Sequence, residues 1–144
     1  MLLSNLKWKW SIFLVLGFLI FPPFFLVEAH DIPSKVPNEA KERKNPLLQS
    51  EAVLQKGGSL YQNFCLSCHG RSGKGDGPAA SALPHPSPDL TKVLIPQTDG
   101  EIFWKISRGG GLMPSYEKSL TKEERWELIH YLRSLKPKEK EGGE

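Results

Sequence analysis

The sequence predicts an all-α domain. After Ser50, Thr98 and Thr121, apolar residues recur three or four positions apart, each time behind a residue able to cap a helix. Few stretches read as strands, and no internal repeat is visible. Between an apolar N-terminus and a charged tail, about 90 residues remain to fold, a size at which a core alone gives marginal stability and a metal, disulfide or similar aid is often needed.

Residues 1–29 stand apart. Lys7 and Lys9 precede the apolar stretch Ile12 to Phe21, Pro22 and Pro23 interrupt it, and Val27-Glu28-Ala29 offers small residues at signal-peptidase spacing. This is the pattern of a secretory signal peptide. The alternative is an uncleaved anchor, since Ser11 to Val27 is 17 residues without a charge, at the lower edge of what spans a bilayer. The paired prolines favour cleavage. On either reading the rest of the chain is exported, and the expected place is the bacterial periplasm, soluble or held to the inner membrane.

Residues 30–49 contain Pro33, Pro37, Pro46 and many charges without a helical apolar period, so a flexible or extended linker is expected. A helix begins near Ser50, with Ala52, Val53, Leu60, Tyr61 and Phe64 as apolar positions. Gly57 and Gly58 weaken it by roughly 1 kcal/mol each relative to alanine, so another element should approach closely there. Residues 71–88 read as loop, punctuated by Gly73, Gly75, Gly77, Pro78, Pro84, Pro86 and Pro88. It is not a phosphate-cradling loop, because Lys74 is followed by Gly75 rather than Ser or Thr and no buried strand precedes it. A second helix is predicted over 99–107, with Thr98 and Glu101 as a capping box and Gly109, Gly110 and Gly111 at its end. A third is predicted over 122–135, with Thr121 and Glu124 as a second box and Pro137 as the stop. The folded domain thus covers 50–137, and residues 138–144 should be disordered.

The chemistry is concentrated in CLSCHG, Cys65 to Gly70, which holds both cysteines of the 144-residue chain. Cys-x-x-Cys-His is the attachment pattern for c-type haem. Two thiols two residues apart reach the two vinyl groups of one porphyrin, and the next residue, His69, can supply the proximal ligand to iron. A thioredoxin-like pair would want a βαβ surround, a zinc site a second ligand pair, and a disulfide closing so small a loop would remove little chain entropy.

A six-coordinate iron needs a second ligand. Met113, in GGGLMPSY, is the only methionine after the leader and sits in a Gly- and Pro-rich loop that can aim its side chain. His85 is the rival; His130 and His30 read as solvated. Methionine with histidine raises the potential and closes the shell, which suits electron transfer. The net charge of +3 is too small to imply nucleic-acid binding, and no basic run interleaves with aromatics. Lys56, Lys74, Lys92, Lys105, Arg108 and Lys118 could form a basic rim for acidic partners, or an ordinary solvated surface.

CLSCHG, GKGDGP, GLMPSY and WELIHYLRSL together resemble the class I mono-haem cytochromes c of the small bacterial type, over about residues 46 to 136. The resemblance implies the cytochrome c fold, three to four short helices wrapped around one covalently bound haem. It implies Cys65 and Cys68 as thioether sites, His69 and Met113 as iron ligands, and Pro78 as the residue whose carbonyl holds the proximal imidazole. It also implies that Gly57, Tyr61, Leu128 and Tyr131 mark a crossing of first and last helices, and that Tyr116, Trp104 and Arg108 are candidate propionate donors. The function implied is single-electron transfer, without catalysis, between a donor and an acceptor such as a terminal oxidase or reductase. A fixed haem subunit of a membrane redox complex and a ligand-binding or peroxidatic haem protein are the alternatives.

Overall fold

A computed structural model describes residues 35–135. The leader or anchor over 1–29, the tail over 138–144 and His30 lie outside the described residues. Among the described residues the regular elements are helices: α1 (Asn38–Lys41), α2 (Glu51–Phe64), α3 (Leu66–His69), α4 (Leu90–Val93), α5 (Asp99–Arg108) and α6 (Lys122–Ser134), with a 3-10 turn at Ala80–Ala82. The only strand-like pairing among them is an isolated bridge between Gly110 and Met113.

The three long helices start where their caps dictate. Ser50 Oγ accepts from the Val53 amide at 3.3 Å. Thr98 and Thr121 each form a reciprocal capping box, with Glu101 and Glu124. The hydrogen bonds from the Thr121 backbone and hydroxyl hold the Glu124 carboxyl below its ordinary value of 4.5. A carboxylate so depressed stabilises the fold above pH 4.5, and that contribution disappears as pH falls through the lowered value. Glu124→Ala should therefore flatten the acid side of the stability curve, read as urea midpoints between neutral pH and about pH 3.

The main packing event is the crossing of α2 and α6. A Cβ on Gly57 would collide with the Glu127 carbonyl oxygen and come within 2.9 Å of the Tyr131 Cβ. The two backbones touch here, and only a glycine permits it. Tyr61 is fully buried here, its ring 5.2 Å from that of Tyr131, and Leu128 and Ile129 of α6 are fully buried as well. Each such side chain contributes roughly 1.5–3 kcal/mol by leaving water. Lys56 Nζ closes the crossing with an ion pair to buried Glu127 at 3.2 Å. The helix glycine and the crossing thus fall where the sequence placed them.

Arg133 of α6 holds the segment leading into α5. It pairs with Asp99 at 2.7 Å and donates to the Leu94 and Gln97 carbonyls at 2.7 and 2.6 Å. On the other side of α5 and α6, Phe103 and Trp126 stack at 4.1 Å between centroids.

The described part of 30–49 departs from the flexible linker expected. Val36 and Ala40, four residues apart, fall on one face of the chain around α1 and are buried. The Thr98 hydroxyl donates to the Lys41 carbonyl at 2.8 Å, and Asn45 Nδ2 donates to the Trp126 carbonyl at 3.0 Å. His130, expected to be solvated, is half-buried with Nε2 2.9 Å from the Leu47 carbonyl. Two apolar residues were too few to show as a period, yet they suffice to lay residues 36–47 across α5 and α6 as a strap.

Candidate functional site

The Cys-x-x-Cys-His sequence folds as a single helical turn. The Cys68 and His69 amides both donate to the Cys65 carbonyl, at 3.2 and 2.9 Å. Residues three and four apart lie on one helix face, so both thiols and the imidazole share a side. The turn leads from the end of α2 and is tied down beyond it: buried Tyr61 donates its hydroxyl to the Gly70 carbonyl at 2.6 Å. Tyr61→Phe should leave that carbonyl with the Gly73 amide alone, at 3.2 Å, and cost about 0.5–1.5 kcal/mol, measured by chemical denaturation of the purified protein.

Cys65 and His69 open into a cavity of about 310 Å³, within the usual range of ligand pockets, roughly 300–1,000 Å³. Its walls are apolar. Leu90, Val93 and Leu94 come from α4 and its end, Ile102 and Ile106 from α5, Leu128 and Leu132 from α6. Met113 and Tyr116 form the side contributed by the loop after α5. One cavity thus gathers a thiol, an imidazole and a thioether that stand 48 positions apart in sequence, from 65 to 113. Cys68 is half-buried beside Cys65, and both thiols are free. Burial, with the neighbouring Cys68 adding to it, pushes the Cys65 thiol up to about 12.

His69 Nδ1 lies 3.1 Å from Ser87 Oγ. Burial lowers the ring's pKa, and a hydrogen bond to the Pro88 backbone opposes the shift without reversing it. The ring is therefore neutral at pH 7, the form that ligates a metal. With Nδ1 engaged, Nε2 is the nitrogen left for the cavity, and the outer partners orient the imidazole.

Here the structure corrects the assignment of Pro78. Pro78 is exposed and does not line the cavity; Pro88 does, beside Ser87. The chain after His69 first turns back beneath its own helix, where Ala79 donates to the Ser67 carbonyl at 2.8 Å. Only the later stretch, 84–88, returns to the imidazole. Asp89, which caps α4 through the Thr91 amide at 3.0 Å, sets that return. The Pro-Asp-Leu-Thr run from Pro88 was a legible helix start, but the glycines and prolines before it masked the signal.

The other candidates sort plainly. His85 is exposed and away from the cavity. Trp104 and Arg108 do not line it. Tyr116 does, and its hydroxyl donates to the Phe64 carbonyl at 2.8 Å. Lys105 reaches the cavity rim and donates to Gln97 Oε1 at 2.7 Å. A wider groove between the strap and the start of α5 contains none of the cysteines, His69 or Met113.

The Met113 loop is built to hold a side chain still. Gly109 takes a positive φ of 71°, a conformation that suits glycine, and turns the chain out of α5. Gly110 and Met113 then exchange backbone hydrogen bonds at 2.9 and 3.0 Å. The Tyr116 amide returns to the Ile106 carbonyl at 3.1 Å, closing the loop on the helix it left.

An all-helical domain with a Cys-x-x-Cys-His turn, an apolar cleft and a methionine loop facing the histidine defines a c-type cytochrome. The residues present fit a haem: the cleft offers apolar walls for a macrocycle, the free Cys65 thiol in its lining with the free Cys68 one helical turn on, and nitrogen and sulfur donors for iron. The family described as cytochrome c oxidase, cbb3-type, subunit III matches residues 52–132. The chain is 30% identical over 93 residues to the cytochrome bc1 complex cytochrome c subunit of Corynebacterium diphtheriae, covering 64% of this chain and 31% of that one. It is 30% identical over 91 residues to the same subunit of Corynebacterium efficiens, covering 62% and 28%. The chain therefore spans about a third of the length of these curated relatives. Its fold superposes on a chain of the Kuenenia stuttgartiensis reducing HAO-like protein complex with a TM-score of 0.58 and 32% identity, covering 64% and 47%. The chain belongs to the cytochrome c family that this cbb3-type subunit III match describes, an all-α haem-iron protein of electron transfer.

Proposed function

We propose that this chain is an exported mono-haem cytochrome c that passes single electrons between a donor and an acceptor. The observation that carries the reading is the convergence of Cys65, His69 and Met113 on one apolar cavity. Cys65 and Cys68 would form the thioethers, and His69 Nε2 and Met113 Sδ would be the protein's two donors to the iron. The haem supplies an iron that changes oxidation state. The protein's part is to hold two strong ligands in place through both states, to keep water from the cleft, and to orient the imidazole through Ser87 and Pro88. A neutral His69 and a thioether add no charge of their own.

Residues next in sequence to those lining the cavity suit brief docking. Val93, Ile95 and Leu112 are large apolar residues left exposed, with Lys92 and Lys105 nearby in sequence. Electron-transfer complexes rely on small interfaces and charge steering, which fits a redox partner such as a terminal oxidase or reductase. The fixed-subunit alternative is favoured by one observation: the Corynebacterium relatives are named as subunits of a complex. Under either reading residues 1–29 direct export to the bacterial periplasm, and retention of that segment would add a membrane anchor.

Spectroelectrochemical titration of the native protein tests the carrier reading. A single reversible one-electron wave, with ferric and ferrous forms interconverting without loss of ligand, is expected. An irreversible wave, or ready uptake of carbon monoxide by the ferrous form, contradicts it. Co-purification with a stable redox complex distinguishes subunit from free carrier.

A further inference from the structure

Arg125 lies one turn into α6 with 7% of its surface exposed. Among the described residues no carboxylate pairs with it. A guanidinium removed from water without a counter-ion is costly unless its donors are used. Its Cζ sits 4.7 Å from the Phe103 ring centroid. Nε donates to the Thr121 carbonyl at 3.3 Å, and Nη1 donates to the Ser107 hydroxyl.

Ser107 is where this hold passes to the methionine loop. Its hydroxyl donates to the Phe103 carbonyl at 2.7 Å, so the lone pairs are what Arg125 meets. Its carbonyl accepts from Ser115 Oγ at 2.6 Å. Ser115 is two residues past Met113, and the next residue, Tyr116, is bonded to both Ile106 and Phe64. The last turn of α5 is thus clamped from α6 by a buried cation, and the loop is clamped to that same turn. Neither Arg125 nor Ser107 lines the cavity. Packing alone does not call for a charge at this point: an apolar side chain of similar length would fill the space over Phe103 without the desolvation penalty.

We propose that Arg125 is a positioning residue for Met113: through Ser107 it fixes the end of α5 and the 109–116 loop, and so keeps the thioether on the iron. The inference rests on the reading of Met113 as distal ligand. It assigns a function in ligand retention to a residue outside the haem pocket.

The test uses haem-loaded protein with Arg125→Met, Arg125→Lys, Ser107→Ala and Met113→Ala. The readouts are the weak red-end band of thioether on ferric iron, the rate of cyanide binding to the ferric form, and the melting temperature. Arg125→Met should weaken the band and bind cyanide about tenfold faster, as when the local opening that frees Met113 is easier by about 1.4 kcal/mol. Ser107→Ala should reproduce this, because it keeps the cation over Phe103 but cuts the link. Arg125→Lys, a cation able to give Ser107 one bond, should recover part of the loss. An unchanged band and unchanged cyanide rate in Arg125→Met and Ser107→Ala, with only the melting temperature lowered, would overturn the proposal. If Arg125→Met does not load haem, Ser107→Ala and Arg125→Lys decide on the same terms. A parent protein without the red band that binds cyanide as fast as Met113→Ala sinks the ligand assignment itself, and the positioning role with it.

Discussion

Replacing Cys65 and Cys68 together by alanine should abolish retention of haem under denaturing extraction, while His69→Ala should leave at most a weakly coloured, unstable product. The reason is geometric. One helical turn carries all three side chains, so a haem bound at Cys65 brings its iron to His69 without further search. Each thioether would also lower the entropy lost when the cleft closes on its ligand. The apolar cleft between α4, α5 and α6 is the part of the core that this chain cannot fill with its own side chains. A domain of this size is marginal without such an aid, so the double alanine variant should also lose most of its cooperative thermal transition. Circular dichroism melts with parallel haem-stained denaturing gels check both effects. A folded, fully pigmented double variant would show that the cleft holds its haem without the thiols.

The second large effect is at Gly57. In an exposed helix interior, glycine to alanine is worth up to about 1 kcal/mol of added stability. Here the sign should reverse. The added Cβ would meet the Glu127 carbonyl, a backbone atom that cannot step aside without separating α2 from α6. Overpacking of this kind costs typically 1–3 kcal/mol and sometimes more, a large fraction of a stability of roughly 5–15 kcal/mol. Gly57→Leu should prevent folding. Gly58→Ala is the control: its Cβ would lie 3.1 Å from the Tyr131 Cε2, the edge of a side chain that can shift by tenths of an ångström. Urea midpoints should therefore order as parent, then Gly58→Ala, then Gly57→Ala. Equal midpoints for the two alanine variants would contradict the close crossing.

The long helices and their crossing were legible because each rests on a local signal that the tertiary structure endorses. Thr98 with Glu101 and Thr121 with Glu124 mark helix starts through bonds made within four residues. The Cys-x-x-Cys-His motif was legible from its spacing, but not that it folds as one helical turn. What sequence reading missed depends on return paths. The partner of His69 comes from Ser87 and Pro88 because the 71–88 loop doubles back twice, and nothing local distinguishes Pro78 from Pro88 as the end of that path. The strap over 36–47 was missed because its two buried apolar residues, Val36 and Ala40, are too few to make a period, and its other ties are single side chains, Asn45 and His130, reaching distant carbonyls. Arg125 looked like one more charge on a helix. Its burial follows from Phe103 and Ser107, which lie 22 and 18 positions earlier.

The proposed electron transfer requires one haem joined through Cys65 and Cys68 to this chain. Intact-mass spectrometry of the native protein under denaturing conditions tests it most directly. A single species carrying the mass of the polypeptide plus one haem is expected, with fragments placing the addition on residues 65–68. A polypeptide mass without haem, from protein matured in its own host, would contradict it.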